Sequence, residues 1–176
     1  MDAEILLRSF DGRHVAVLRD IAADLPRSRE TVVRLIEAAR QAGRGPPEIG
    51  ATWLVKHLLE RGVETDADIG LRLASTIGCL SENESKLHFL QATPYVTLTP
   101  EAEDALLPVL DAILANATHR FVRAWAYNAL GVVARDNPER REDVARRLRD
   151  ALEVEAPSVK ARVRAALRTL AVPDTS

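Results

Sequence analysis

The chain has 176 residues, 47% hydrophobic and 28% charged but only 4% aromatic, with a formal net charge of −2. That length holds one domain, or at most two small ones, with a real core, and so few aromatics leave Ala and Leu, strong helix formers, to fill it. A β sandwich or barrel does not fit such a composition. The single cysteine allows neither an internal disulfide nor a cysteine zinc cluster, and no run approaches the roughly 20 apolar residues of a membrane span.

Helical periodicity runs along almost the whole chain. After an opening segment over Ala3 to Phe10, Asp11-Gly12 forms a turn, and Val15, Leu18, Ile21, Ala22 and Leu25 recur at helical spacing up to Pro26. Ser28 is the expected N-cap of the next helix, with Val32, Leu35, Ile36 and Ala39 as its stripe and Gly43 at its end. The break Gly43 to Pro47 places prolines at the start of a third helix, carrying Ala51, Leu54, Val55, Leu58 and Leu59 and stopping at Gly62. Thr65 or Asp66 caps a fourth, with Ile69, Leu73, Ala74, Ile77 and Leu80, and Ser81 or Asn83 a short fifth over Glu84 to Gln91. Between Pro94 and Pro100 the alternating Tyr95-Val96-Thr97-Leu98 reads as an extended connector rather than a strand. Thr99-Pro100-Glu101 then opens the next helix with a cap, a first-turn proline and acidic residues at the positive end of the dipole.

The final third repeats itself. Val122-Arg123, Ala126, Ala129-Leu130 and Val133-Ala134 return 37 residues later as Val159-Lys160, Val163, Ala166-Leu167 and Leu170-Ala171. The preceding helices correspond as well, with Leu106, Leu110, Ile113 and Leu114 matched by Val144, Leu148, Ala151 and Leu152. A weaker echo lies upstream at Lys86, Phe89, Ala92 and Val96. One repeat is a helix pair, and self-similarity at this period marks an α-solenoid.

A pair of this length whose second helix reads Val-Arg-x-x-Ala-x-x-Ala-Leu-Gly resembles the HEAT repeat, closely over Val122 to Gly131 and without the glycine over Val159 to Arg168. The resemblance covers Thr99 to Ala171 and implies an all-α fold, a right-handed α-α superhelix of about five antiparallel helix pairs. On that reading residues 1–176 form one domain, with 1–45 as an N-terminal capping unit, 46–98 as divergent repeats and 99–172 as two clear repeats. The chain departs from the family at one point. HEAT repeats often carry an aspartate six positions before the basic residue, forming a ladder between repeats, and Ala117 and Val154 stand there instead.

Function has to be read from the face that the second helices line. Lys86, Arg123 and Lys160 occupy equivalent repeat positions, and Tyr127 is equivalent to Arg164, so stacking aligns a basic stripe containing an aromatic ring. These five residues are the candidate partner-binding set, weighed against an ordinary solvated helix face. Residues 1–117 hold 12 basic against 18 acidic side chains, and residues 118–176 hold 12 against 8, so the stripe lies mostly in the basic part. The expectation is a non-catalytic cytoplasmic module binding a protein partner, with no cofactor, metal or membrane. The alternatives carried with it are nucleic-acid binding, resembling the HEAT-like DNA alkylation-repair glycosylases, and a concavity like that of the HEAT-like bilin lyases. Against the first stands a sequence pI near 6.1. His14, His57, His88 and His119 show no metal-ligand spacing. Cys79, between apolar neighbours, is expected as a buried, inert thiol. Trp53 and Trp125 are expected as packing residues.

Overall fold

The computed structural model describes residues 10–170. Nine α-helices account for most of the described residues and no strand occurs among them: α1 Val15–Asp24, α2 Arg29–Gln41, α3 Pro46–Glu60, α4 Ala67–Ile77, α5 Asn83–Ala92, α6 Pro100–Asn116, α7 Arg120–Asp136, α8 Arg141–Val154 and α9 Pro157–Leu170. The fold is therefore all-α. None of the described helices is long and apolar enough to cross a membrane. Most of the expected opening segment, Ala3 to Ser9, lies outside the described residues.

Local signals set several of the helix ends. Asp11 accepts the N–H groups of Arg13 and His14 ahead of α1, and Gly12, at φ +82°, turns the chain. The side chains of Ser28 and Asp66 accept the amides of Thr31 and Ile69, capping α2 and α4. Gly43 and Gly62 take positive φ just past α2 and α3. Thr99 Oγ1 caps α6 through the Ala102 amide. Val96 is extended and residues 97–99 are in neither helix nor strand, whereas Tyr95, expected in that connector, closes a 3₁₀ turn over Thr93–Tyr95.

The start of α5 differs from expectation. Neither Ser81 nor Asn83 caps it; the carboxylate of Glu48, on α3 and only 1% exposed, accepts the amides of Ser81 and Glu82. An ion is a stronger acceptor than a hydroxyl or amide oxygen and favours the positive end of the helix dipole. Cys79 also corrects its expectation. The apolar stripe of α4 ends at Ile77, the chain then turns through Gly78, and the thiol is exposed while Leu80 enters the core.

The chain divides into two compact units, residues 1–106 and 107–176, with the division inside α6. In the first, α1 packs on α3, α3 on α5 and α2 on α4, while α2 meets α3 and α4 meets α5. Helices two apart in sequence are thus neighbours. Phe89, Leu54, Leu58 and Leu73 are among its fully buried residues. At Gly70 a Cβ would lie 1.9 Å from the Thr97 carbonyl oxygen, so only glycine allows α4 to pass this close to the connector.

In the second unit α7 packs most extensively on α9, and α8 packs on both. The small residues of the repeated motif make the close approach: Ala126, Ala129 and Ala166 are buried, and a Cβ at Gly131 would stand 3.0 Å from that of Ala166. Trp125 packs with its ring under Arg162, whose guanidinium carbon lies 4.0 Å from the ring centroid.

Candidate functional site: the basic row of the second unit

The repeated basic positions have a structural task that their sequence spacing did not disclose. Arg123, in the first turn of α7, donates from Nη1 to the carbonyl oxygens of Leu114 and Ala117, at 2.6 and 3.2 Å. These oxygens end α6, where helical carbonyls lack partners and the dipole is negative. Lys160, in the first turn of α9, does the same for α8, donating to the Glu153 carbonyl at 3.2 Å. In this unit the basic residue of the second helix thus caps the first helix of its own pair, at Arg123 and again at Lys160.

Arg123 has donors to spare, and Glu155 takes them. Its carboxylate, in the turn between α8 and α9, pairs with Arg123 Nε and Nη2 and accepts the Tyr127 hydroxyl at 2.9 Å. The Glu155 side chain is 8% exposed and that of Arg123 22%. Burial alone would raise the Glu155 pKa, but the bonds from Arg123 and Tyr127 outweigh it and the carboxyl is held below its ordinary value. Burial first, and then the carboxylate beside it, push the Tyr127 phenol up to about 12. The result is a rung between neighbouring pairs, made by an acid one residue beyond Val154, the position where the resemblance to HEAT repeats implies an aspartate. A search of that one register misses it; the acid at Glu155 was the available signal.

The five candidates therefore separate. Arg123 and Tyr127 are joined through Glu155 and turned toward the interior. Lys160 and Arg164 lie four residues apart on one face of α9, Arg164 exposed and Lys160 half-buried, with no carboxylate paired to either among the described residues. Lys86 belongs to α5 in the other unit, half-buried. Phe121, at the start of α7, is 47% exposed, with Arg120 over its ring at 4.8 Å. First helices are tied as well, by Arg147 to Asp111 in this unit and by Arg29 to Asp66 and Asp68 in the other.

Comparison with protein-family models, with curated proteins and with solved structures finds no match to this chain.

Proposed function

We propose that the chain is a non-catalytic protein-interaction module of HEAT-like helix pairs, and that α9 receives a carboxylate-rich segment of a partner at Lys160 and Arg164. One observation carries the reading: Glu155 docks on Arg123 and Tyr127, and the equivalent positions one repeat later present two cations without such an acid. What one repeat does to its neighbour, α9 is equipped to do to a partner. The proposal takes the pairs as units of a right-handed α-α superhelix. In support, first helices meet first helices and second meet second within the units, as α2 with α4, α3 with α5 and α7 with α9. A cytoplasmic setting belongs to the same reading, because an exposed free thiol such as Cys79 suits a reducing compartment.

The test is fluorescence anisotropy with a labelled poly-Glu peptide and, separately, labelled duplex DNA, at low salt. The expected result is saturable peptide binding that falls about tenfold or more in Lys160→Glu/Arg164→Glu, measured at a temperature where the variant still shows a cooperative melt, its midpoint lowered by a few degrees through the lost Lys160 cap. Absence of peptide binding, or binding indifferent to the two reversals, ends the reading. Tighter binding of DNA, lost in the same variant, replaces it with the nucleic-acid one.

A further inference from the structure

Residues 1–106 carry 17 acidic against 12 basic side chains, and several arginines there are paired with acids. Arg29 pairs with Asp66 and Asp68, Arg72 with Asp68, and Arg44 with Glu82. Arg19 of α1, Arg27 of the following loop and Arg61 at the end of α3 have no carboxylate partner among the described residues, as is also true of Arg13, Arg34 and Arg40, but these three converge. All three line one cleft of about 160 Å³, and Arg27 and Arg61 also line a second of about 340 Å³.

The surroundings favour an anion with an organic body. The first cleft adds Leu58 and His57, the latter with its ring stacked on Trp53 at 4.6 Å. The second is bounded by Ser28, the N-cap of α2, so the positive end of that helix borders it. Its rim also holds one carboxylate, Glu64. The proximity of the cations registers on His57: burial first and then Arg61, with contributions from Lys56 and Arg19 against Glu60, lower its pKa. Guanidinium groups fork to phosphate oxygens in pairs, and several held together without counter-ions recognise a phosphoryl group better than a single carboxylate.

We infer that Arg19, Arg27 and Arg61 form a binding site for a small phosphorylated molecule, its phosphoryl group between Arg27 and Arg61, the two arginines the clefts share. A bounded pair of clefts in a unit of net negative charge suits a small ligand and disfavours a long polyanion. This site is separate from the α9 surface and does not depend on it.

Isothermal titration with pyrophosphate and with inorganic phosphate, on the full chain at low ionic strength, tests the assignment. Pyrophosphate is expected to bind saturably below about 1 mM, at least roughly threefold tighter than inorganic phosphate. Arg27→Gln/Arg61→Gln should weaken it about tenfold or more, and Arg40→Gln, on the exposed last turn of α2, should not. Arg19→Gln serves if the double variant loses its cooperative melt. No saturable binding, or binding unchanged in the arginine variants, overturns the assignment, as does duplex DNA that displaces pyrophosphate at equal phosphate concentration.

Discussion

Glu155 is nearly out of solvent and still charged, because three donors from two side chains meet it. Removing that charge leaves the Arg123 guanidinium half-buried with only two carbonyl oxygens for partners. Glu155→Gln is therefore expected to destabilise the fold by about 1–3 kcal/mol in denaturant unfolding, below the range for fully broken buried pairs because Arg123 keeps those carbonyls. Lys160→Met, which removes a single bond to a carbonyl at a half-buried site, should cost about 0.5–1 kcal/mol. Equal effects would refute the distinction between a closed rung and an open one. His88 makes a second residue-scale prediction. Its Nδ1 lies 3.1 Å from Thr52 Oγ1, and burial first, with Lys56 nearby, brings its pKa from 6.5 down to about 4. The folded state thus prefers neutral imidazole. Stability from this group is complete above pH 6.5 and is lost as pH falls from there toward 4, by about 3 kcal/mol at most. Urea midpoints across that window should fall less steeply in His88→Gln; parallel profiles would count against it.

Among elements, α4 shows propensity and packing in opposition. Replacing a helical glycine by alanine ordinarily gains about 1 kcal/mol. At Gly70 the new methyl carbon would sit 1.9 Å from a backbone oxygen, and backbone cannot swing aside as a side chain can. Gly70→Ala is therefore expected to destabilise by about 2 kcal/mol or more, read as a lowered melting temperature. A rise instead would mean that the connector yields. The cap on α5 is equally non-local. Glu48→Ala should cost about 1–3 kcal/mol and speed amide exchange at Ser81 and Glu82 above all other sites, whereas Ser81→Ala should do little. The cap residues that the sequence did disclose, Ser28, Asp66 and Thr99, each act within three residues of themselves. Glu48 acts across more than thirty, which is why α5 received the wrong cap on reading.

At the scale of the molecule, each compact unit holds one tryptophan, Trp53 in the first and Trp125 in the second. Single-tryptophan variants can therefore follow the units separately. With Glu155→Gln in place, the midpoint reported by Trp125 should fall further than that reported by Trp53, since the lost rung lies in the second unit. Charge divides too: residues 107–176 carry 12 basic against 9 acidic side chains, the reverse of the first unit's balance. The acidic partner proposed above suits the second unit for that reason. In the first unit, with its excess of acids, three arginines gathered in one cleft without a carboxylate partner are the more conspicuous.

The sequence by itself determined that this is a helical protein, where α1, α2 and α3 begin and end, where α4 and α6 begin, and which small residues let α7 and α9 approach. All of these follow from short-range rules: helical periodicity, caps that reach three residues, and the φ preferences of glycine and proline. It also determined which positions repeat. What those positions do was decided only in the tertiary structure. Arg123 became a helix cap and a rung, Tyr127 turned to Glu155, Cys79 turned to solvent, and Arg19, Arg27 and Arg61 came together from places up to 42 residues apart. Pairing of charges depends on distances through space, and a one-residue shift, from Val154 to Glu155, is enough to carry an acid from an expected register to the one the fold uses.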